Sequence, residues 1–163
     1  MAIDIRSADA ADHAAILALN LESEQLLSPL SAARLARLDA QAAYHRVLCD
    51  DGAVVAFLLA FAQGADYDSP NYRWFAQRYE RFLYIDRVVV AASHQGRRLG
   101  SRLYEDLFAF ARGSGIATVT CEFYVVPLNE ASRRFHAGFG FREVGTQWVA
   151  EGRKQVSLQT ATA

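Results

Sequence analysis

Residues 3–6 run Ile-Asp-Ile-Arg, a period-two alternation that predicts a short first strand. The pattern then lengthens. Ile16, Leu17, Leu19 and Leu21 predict a helix from about Ala10 to Leu21, with Asp9 as its N-cap and Asp12 closing a capping box. Ser28-Pro29 predicts a second helix start, continued by Leu30, Arg34, Leu35 and Leu38. Tyr44 to Cys49 reads as a strand, Asp50-Asp51-Gly52 as a hairpin turn, and Val54 to Phe61 as the returning strand. That last strand is apolar on both faces. Such a strand is covered on both sides, which places the chain in the α/β class.

Residues 62–81 set Tyr67, Tyr72, Trp74, Phe75 and Tyr79 among charged residues, and Ser69-Pro70-Asn71 is expected to break any regular element. A connection this long suits a lid or substrate pocket. The alternative is a short helix, Tyr72 to Tyr79, packed on the sheet rim or forming a dimer contact. Leu83 to Val90 is rich in β-branched residues and predicts a strand. Leu99, Leu103, Leu107 and Phe110 recur at helical spacing before Gly113 and Gly115. Thr118 to Val126 predicts a strand stopped by Pro127, and Asn129 to Ala137 a short helix ended by Gly138 and Gly140. Glu143 to Ala150 and Lys154 to Leu158 predict a closing hairpin around Glu151-Gly152. The order is β-α-α-β-β-β-α-β-α-β-β.

The chain has 163 residues, 52% hydrophobic and 21% charged, so residues 1–163 are expected to form a single domain with one core. This composition excludes a disordered chain and a coiled coil. A net charge of -1 disfavours a nucleic-acid partner. Cys49 and Cys121 lack metal or redox spacing and read as buried reduced thiols. No signal pattern opens the chain, and the longest apolar run, Ala53 to Ala62, is too short to cross a bilayer. A cytoplasmic protein without membrane attachment is expected. His13 reads as solvated, His45 as structural and His94 as a turn residue, and no metal is expected.

The strongest local signal is the passage from the strand ending Val88-Val89-Val90 into Gln95-Gly96-Arg97-Arg98-Leu99-Gly100-Ser101 and the helix that follows. A helix start presents unpaired amides and a partial positive charge, glycine admits close approach, and Arg97, Arg98 and Arg102 add cations. Together they suit a pyrophosphate. The dinucleotide and nucleoside-triphosphate glycine patterns are absent.

Downstream stands Asn129-Glu-Ala-Ser-Arg-Arg-Phe-His-Ala-Gly-Phe-Gly-Phe141. With the first loop at this spacing, the chain resembles the GNAT superfamily of acyl-CoA N-acyltransferases. Asn129, Ser132, Phe135, His136, Gly140 and Phe141 fall on the second motif, and residues 83–145 carry most of the specificity. Tyr67 to Tyr72 is also similar to a Tyr-Asp-Ser-Pro-Asn-Tyr segment of one bacterial branch. The resemblance implies a GNAT-like mixed, strongly twisted sheet of six to seven strands with helices on both faces. It implies an N-acetyltransferase that moves an acetyl group from acetyl-CoA to an amine of a small molecule or peptide. Two parallel strands would part, Val88, Val89 and Val90 would offer backbone groups to pantetheine, and residues 95–101 would hold pyrophosphate. Asn129 and Ser132 would contact the cofactor arm or position their helix.

Two residues depart from the family. Arg98 stands on its first glycine, which works if φ there is negative or the side chain turns away. His136 replaces the tyrosine that protonates the departing thiolate. A base must also relieve the amine of a proton. Glu122, with a salt bridge to Arg87 or Arg81 as the bland alternative, Asp86 and water are the candidates. Arg34, Arg37 and Arg73 could meet an acceptor carboxylate. The competing reading is a non-catalytic acyl-CoA-binding module, and a homodimer is compatible with either.

Overall fold

The structure is a computed structural model that describes residues 2–23 and 27–163. Five helices are present among the described residues: α1 His13–Glu22, α2 Ala32–Gln41, α3 Pro70–Ala76, α4 Leu99–Gly113 and α5 Glu130–Gly138. Seven strands accompany them: β1 Ile3–Ser7, β2 Tyr44–Asp50, β3 Ala53–Ala62, β4 Leu83–Val90, β5 Thr118–Val126, β6 Arg142–Val149 and β7 Lys154–Thr162. Hydrogen bonding orders the strands β1-β2-β3-β4-β5-β7-β6. The β4–β5 pair is parallel, and the pairs β1–β2, β2–β3, β5–β7 and β6–β7 are antiparallel, so the sheet is mixed as expected.

The chain packs as two compact units, Met1–Phe61 with Ile85–Ala109, and Ala62–Tyr84 with Phe110–Ala163. In the first unit β2 serves two layers. His45, Val47 and Cys49 point toward α1 and α2, where Ile16, Leu19, Leu35, Phe57 and Val89 complete a closed core. Tyr44 and Arg46 point the other way, and both hydrogen-bond Asp106 on α4 at 2.7 Å. Period-two geometry thus places helices on both faces. The β2–β3 hairpin turns on Asp51 and Gly52, both at positive φ (49° and 86°), as the sequence predicts.

Two helix starts differ from expectation. Asp9 and Asp12 do form a capping box, but around a 3-10 turn, Ala10–Asp12, that leads into α1. The second helix opens at Ser31, whose hydroxyl accepts from the Arg34 amide, and not at Ser28-Pro29. Ser28 is engaged elsewhere: its carbonyl accepts from Asn20 and Arg87, and its hydroxyl also meets Arg87.

In the second unit Leu83 pairs with Val119 and Tyr84 with Thr120. Residues 62–81 are not an open loop. Ser69 caps α3, Pro70 sits in its first turn where no amide is needed, and Tyr72 and Phe75 are buried. Ser69-Pro70-Asn71 therefore starts an element that the sequence reading had it breaking. The packed-helix alternative matches this geometry, with the helix starting two residues earlier and ending three residues earlier than Tyr72 to Tyr79. On the other sheet face α5 seats His136 against Phe123, with ring centroids 5.6 Å apart.

Candidate active site

The phosphate-type turn lies in the first unit. β4 ends at Val90, and the Gln95 side-chain amide donates back to the Val90 carbonyl at 3.3 Å. Gly96 has φ 81° and Arg98 has φ 60°. The alternative of a negative φ at Arg98 is therefore overturned: the backbone keeps the left-handed turn that the family glycine serves, and the arginine bears its cost of about 1–2 kcal/mol. Arg97 and Arg98 are exposed, as is Arg102. The Arg102 amide bonds the Arg98 carbonyl at 3.1 Å, so the amides of Leu99, Gly100 and Ser101 precede the ladder of the 15-residue α4. A Cβ built on Gly96 would meet nothing within 4 Å, so the turn stands clear on that side. Along β4, Val89 faces the α1–α2 core, while Val88 and Val90 are half-buried on the opposite side. His94, beside the turn, links the Ser93 hydroxyl at 2.8 Å and the Asp50 carboxylate at 2.9 Å.

Asp86 is also in this unit. Arg87 Nε donates to its carboxylate at 2.6 Å, both side chains are buried, and Arg87 bonds Asn20 Oδ1 at 3.0 Å. The sequence had no signal for that network beyond the apolar company of two charges.

The remaining candidates lie in the second unit. Asn129 is the N-cap of α5: its Oδ1 accepts from the Ser132 amide at 3.1 Å. Of the two roles open to it, positioning the helix is the one seen here. His136 is buried within van der Waals reach of Phe123, Phe135 and Phe141 rings. Its Nδ1 lies 2.7 Å from the Ser132 carbonyl, a contact that only an N–H can make. The Ser132 hydroxyl also lies 3.2 Å from Nδ1, and the shorter carbonyl contact assigns the proton of the neutral ring to Nδ1. Burial pushes the imidazole below its ordinary value, with the Ser132 carbonyl opposing that shift.

Glu122 on β5 is half-buried. The Tyr84 hydroxyl donates to its carboxylate, meeting Oε1 closely and Oε2 at 3.1 Å. The sequence pattern does not single out Tyr84 within its strand. The signal available was a tyrosine in an otherwise apolar strand, since a buried phenol needs a partner. Among the described residues no cluster of His, Cys, Asp or Glu has metal-binding geometry, and no helix is long and apolar enough to cross a membrane.

Ard1 from Thermoplasma volcanium superposes with a TM-score of 0.80 at 16% identity, covering 100% of this chain and 99% of that one. The ribosomal-protein-S18-alanine N-acetyltransferase of Escherichia coli gives 0.74 at 18%, over 99% and 94%. The yncA protein of Salmonella typhimurium, solved with its cofactor acetyl-CoA, gives 0.73 at 23%, over 99% and 94%. No curated protein matches the chain in sequence. Residues 14–141, most of the chain, match the family described as Acetyltransferase (GNAT). The chain belongs to that family.

Proposed function

We propose that the protein is an acetyl-CoA-dependent N-acetyltransferase acting on an amine of a small molecule or peptide. The observation that carries this reading is the turn before α4, where Gly96 and Arg98 hold left-handed backbone (φ 81° and 60°) and three amides precede the helical ladder. Such a turn binds diphosphate oxygens through backbone N–H groups. Gln95, Gly96, Arg97, Arg98, Leu99, Gly100 and Ser101 would hold the pyrophosphate, with the arginines adding charge. Val88, Val89 and Val90 would lend backbone groups to pantetheine and an amide to the thioester oxygen, an interaction whose loss costs about 3 kcal/mol in acyl transfer. Asn129 and Ser132 set the start of α5.

The acyl group supplied by acetyl-CoA is transferred in one displacement. The amine nitrogen forms the new C–N bond as the C–S bond breaks. Glu122 receives the ammonium proton before attack, with Asp86 the second candidate, weakened by its ion pair with Arg87, and the proton that the nitrogen sheds after attack passes to solvent. The departing thiolate takes a proton from the group at position 136 or from water. Because the neutral His136 ring spends its proton on Ser132, this residue delivers one only as imidazolium. That same commitment favours a second reading, a module that binds acyl-CoA without turnover.

Calorimetry with acetyl-CoA, and thiol release with a panel of amino acids, polyamines and peptide N-termini, test the proposal. Binding with turnover that is lost in Glu122→Gln supports the enzyme. Binding with no thiol released by any amine supports the module. Absence of acetyl-CoA binding rejects both.

A further inference from the structure

Tyr84 is 1% exposed, and its hydroxyl is aimed at both carboxylate oxygens of Glu122. Its ring is walled by two others, Tyr72 at 5.6 Å edge-on and Phe75 at 5.9 Å. These walls are fixed in turn. The Tyr72 hydroxyl donates to the Ala62 carbonyl at 2.6 Å and accepts from the Ala65 amide at 3.1 Å. Phe82 packs on Tyr72 at 5.7 Å and on Phe75 at 6.5 Å. Ser69 and Pro70 start the helix that carries both Tyr72 and Phe75. Tyr72 and Phe75, with Phe82 behind them, therefore wall one phenol, and that phenol ends on one carboxylate.

We propose that Tyr84 is a positioning residue for Glu122, and that the aromatic segment around α3 is the scaffold that holds Tyr84. The inference rests on Glu122 being the base of the proposed reaction. A phenol O–H on a carboxylate restricts its rotamers and stabilises its ionised form, the form able to accept a proton. The phenol keeps its own proton throughout, so the amine's proton goes to the carboxylate lone pairs that Tyr84 leaves open. A ring walled on several sides holds its hydroxyl in place better than a surface tyrosine, which would lose side-chain entropy on making the same bond.

The full-length chain, labelled with carbon-13, tests this by carboxyl NMR titration, with the Glu122 resonance identified by its disappearance in Glu122→Gln. Tyr84→Phe is expected to raise the Glu122 titration midpoint, since it removes the O–H that stabilises the ionised carboxylate. In turnover with acetyl-CoA and the peptide-amine panel it should lower kcat, move the acid limb of the pH–rate profile by the same amount, and leave KM for acetyl-CoA unchanged. A folded Tyr84→Phe protein with an unmoved midpoint overturns the proposal. Should that variant fail to fold, Tyr72→Phe substitutes for it: it loosens the scaffold, keeps the Tyr84 hydroxyl, and should shift the midpoint less but in the same direction, an unmoved midpoint again being fatal. Failure of the underlying reading looks different. Glu122→Gln would then keep full turnover, while the Tyr84-dependent titration of Glu122 would persist.

Discussion

Asp86 and Arg87, adjacent on β4, are locked to one another inside the first unit, their side chains 6% and 4% exposed and their Oδ2 and Nε atoms 2.6 Å apart. Asn20 and Ser28 take three further Arg87 hydrogen bonds, which ties α1 and Ser28 to β4. Removing one partner of a buried ion pair leaves the other charge uncompensated, typically at about 3–5 kcal/mol. Asp86→Ala should therefore lower the unfolding free energy by that order in urea titration. Turnover per folded molecule should survive, because Glu122 remains. Abolished turnover in a folded Asp86→Ala protein would transfer the base role to Asp86.

Arg98 pays for a backbone conformation that glycine adopts freely, with φ 60°. Arg98→Gly should stabilise the fold by about 1 kcal/mol, a rise of a few degrees in Tm for a chain of this size. The same change removes one exposed cation from the turn proposed to hold pyrophosphate. Acetyl-CoA affinity should fall by roughly twofold, with a shallower salt dependence, as the loss of about 0.5 kcal/mol from an exposed pair would give. Tighter binding in the variant would show that the guanidinium obstructs the turn.

His45 and His136 are both held below the ordinary imidazole value, in each case chiefly by burial; Asp39 beside His45 and the Ser132 carbonyl on His136 oppose the shift. In the unfolded chain both titrate near 6.5, so below that pH the unfolded state binds more protons. Stability is complete above about 6.5 and declines as pH falls toward the lower folded-state values. Urea midpoints at about pH 7.5 and about pH 5.5 should show this loss, and His136→Phe should reduce it. Equal slopes in the two proteins would remove His136 from the account.

Gly145 on β6 is placed by Trp74. A Cβ at Gly145 would lie 2.5 Å from Trp74 Cζ2, closer than packed atoms approach. Gly145→Ala should cost about 1–3 kcal/mol through overpacking. The double variant Gly145→Ala with Trp74→Leu should recover part of that loss in thermal unfolding, since the two effects share one contact. Additive losses would mean that Trp74 moves aside unaided.

Much of the architecture was legible in local pattern. The capping box at Asp9, the hairpin at Asp51-Gly52, the helix stops at Gly113 and Gly138, and the two-faced apolar strand Val54–Phe61 each report a backbone or burial requirement met within a few residues. Less legible was anything set by a partner distant in sequence. Ser28 looked like a cap because Ser-Pro opens helices, yet its oxygens serve Arg87, 59 positions away. Glu122 offered itself as a candidate base with an arginine salt bridge as the bland alternative, and nothing local pointed to the hydroxyl it meets, that of Tyr84, 38 positions upstream. Ser69-Pro70 was read as a break, and burial of Tyr72 and Phe75 makes it a beginning.

By itself the sequence determined the order of elements, the glycine-bearing turn before α4 and the acetyltransferase family. These depend on hydrophobic period, on permitted φ and on motif spacing, which are properties of neighbouring residues. Only the tertiary structure decided which distant polar groups meet: that Arg87 bonds Asn20 and Ser28, that Arg46 and Tyr44 meet Asp106, and that Glu122 is held by a phenol. A hydrogen bond forms at about 3 Å between groups that the chain brings together only after its core has closed, and no local pattern encodes that distance.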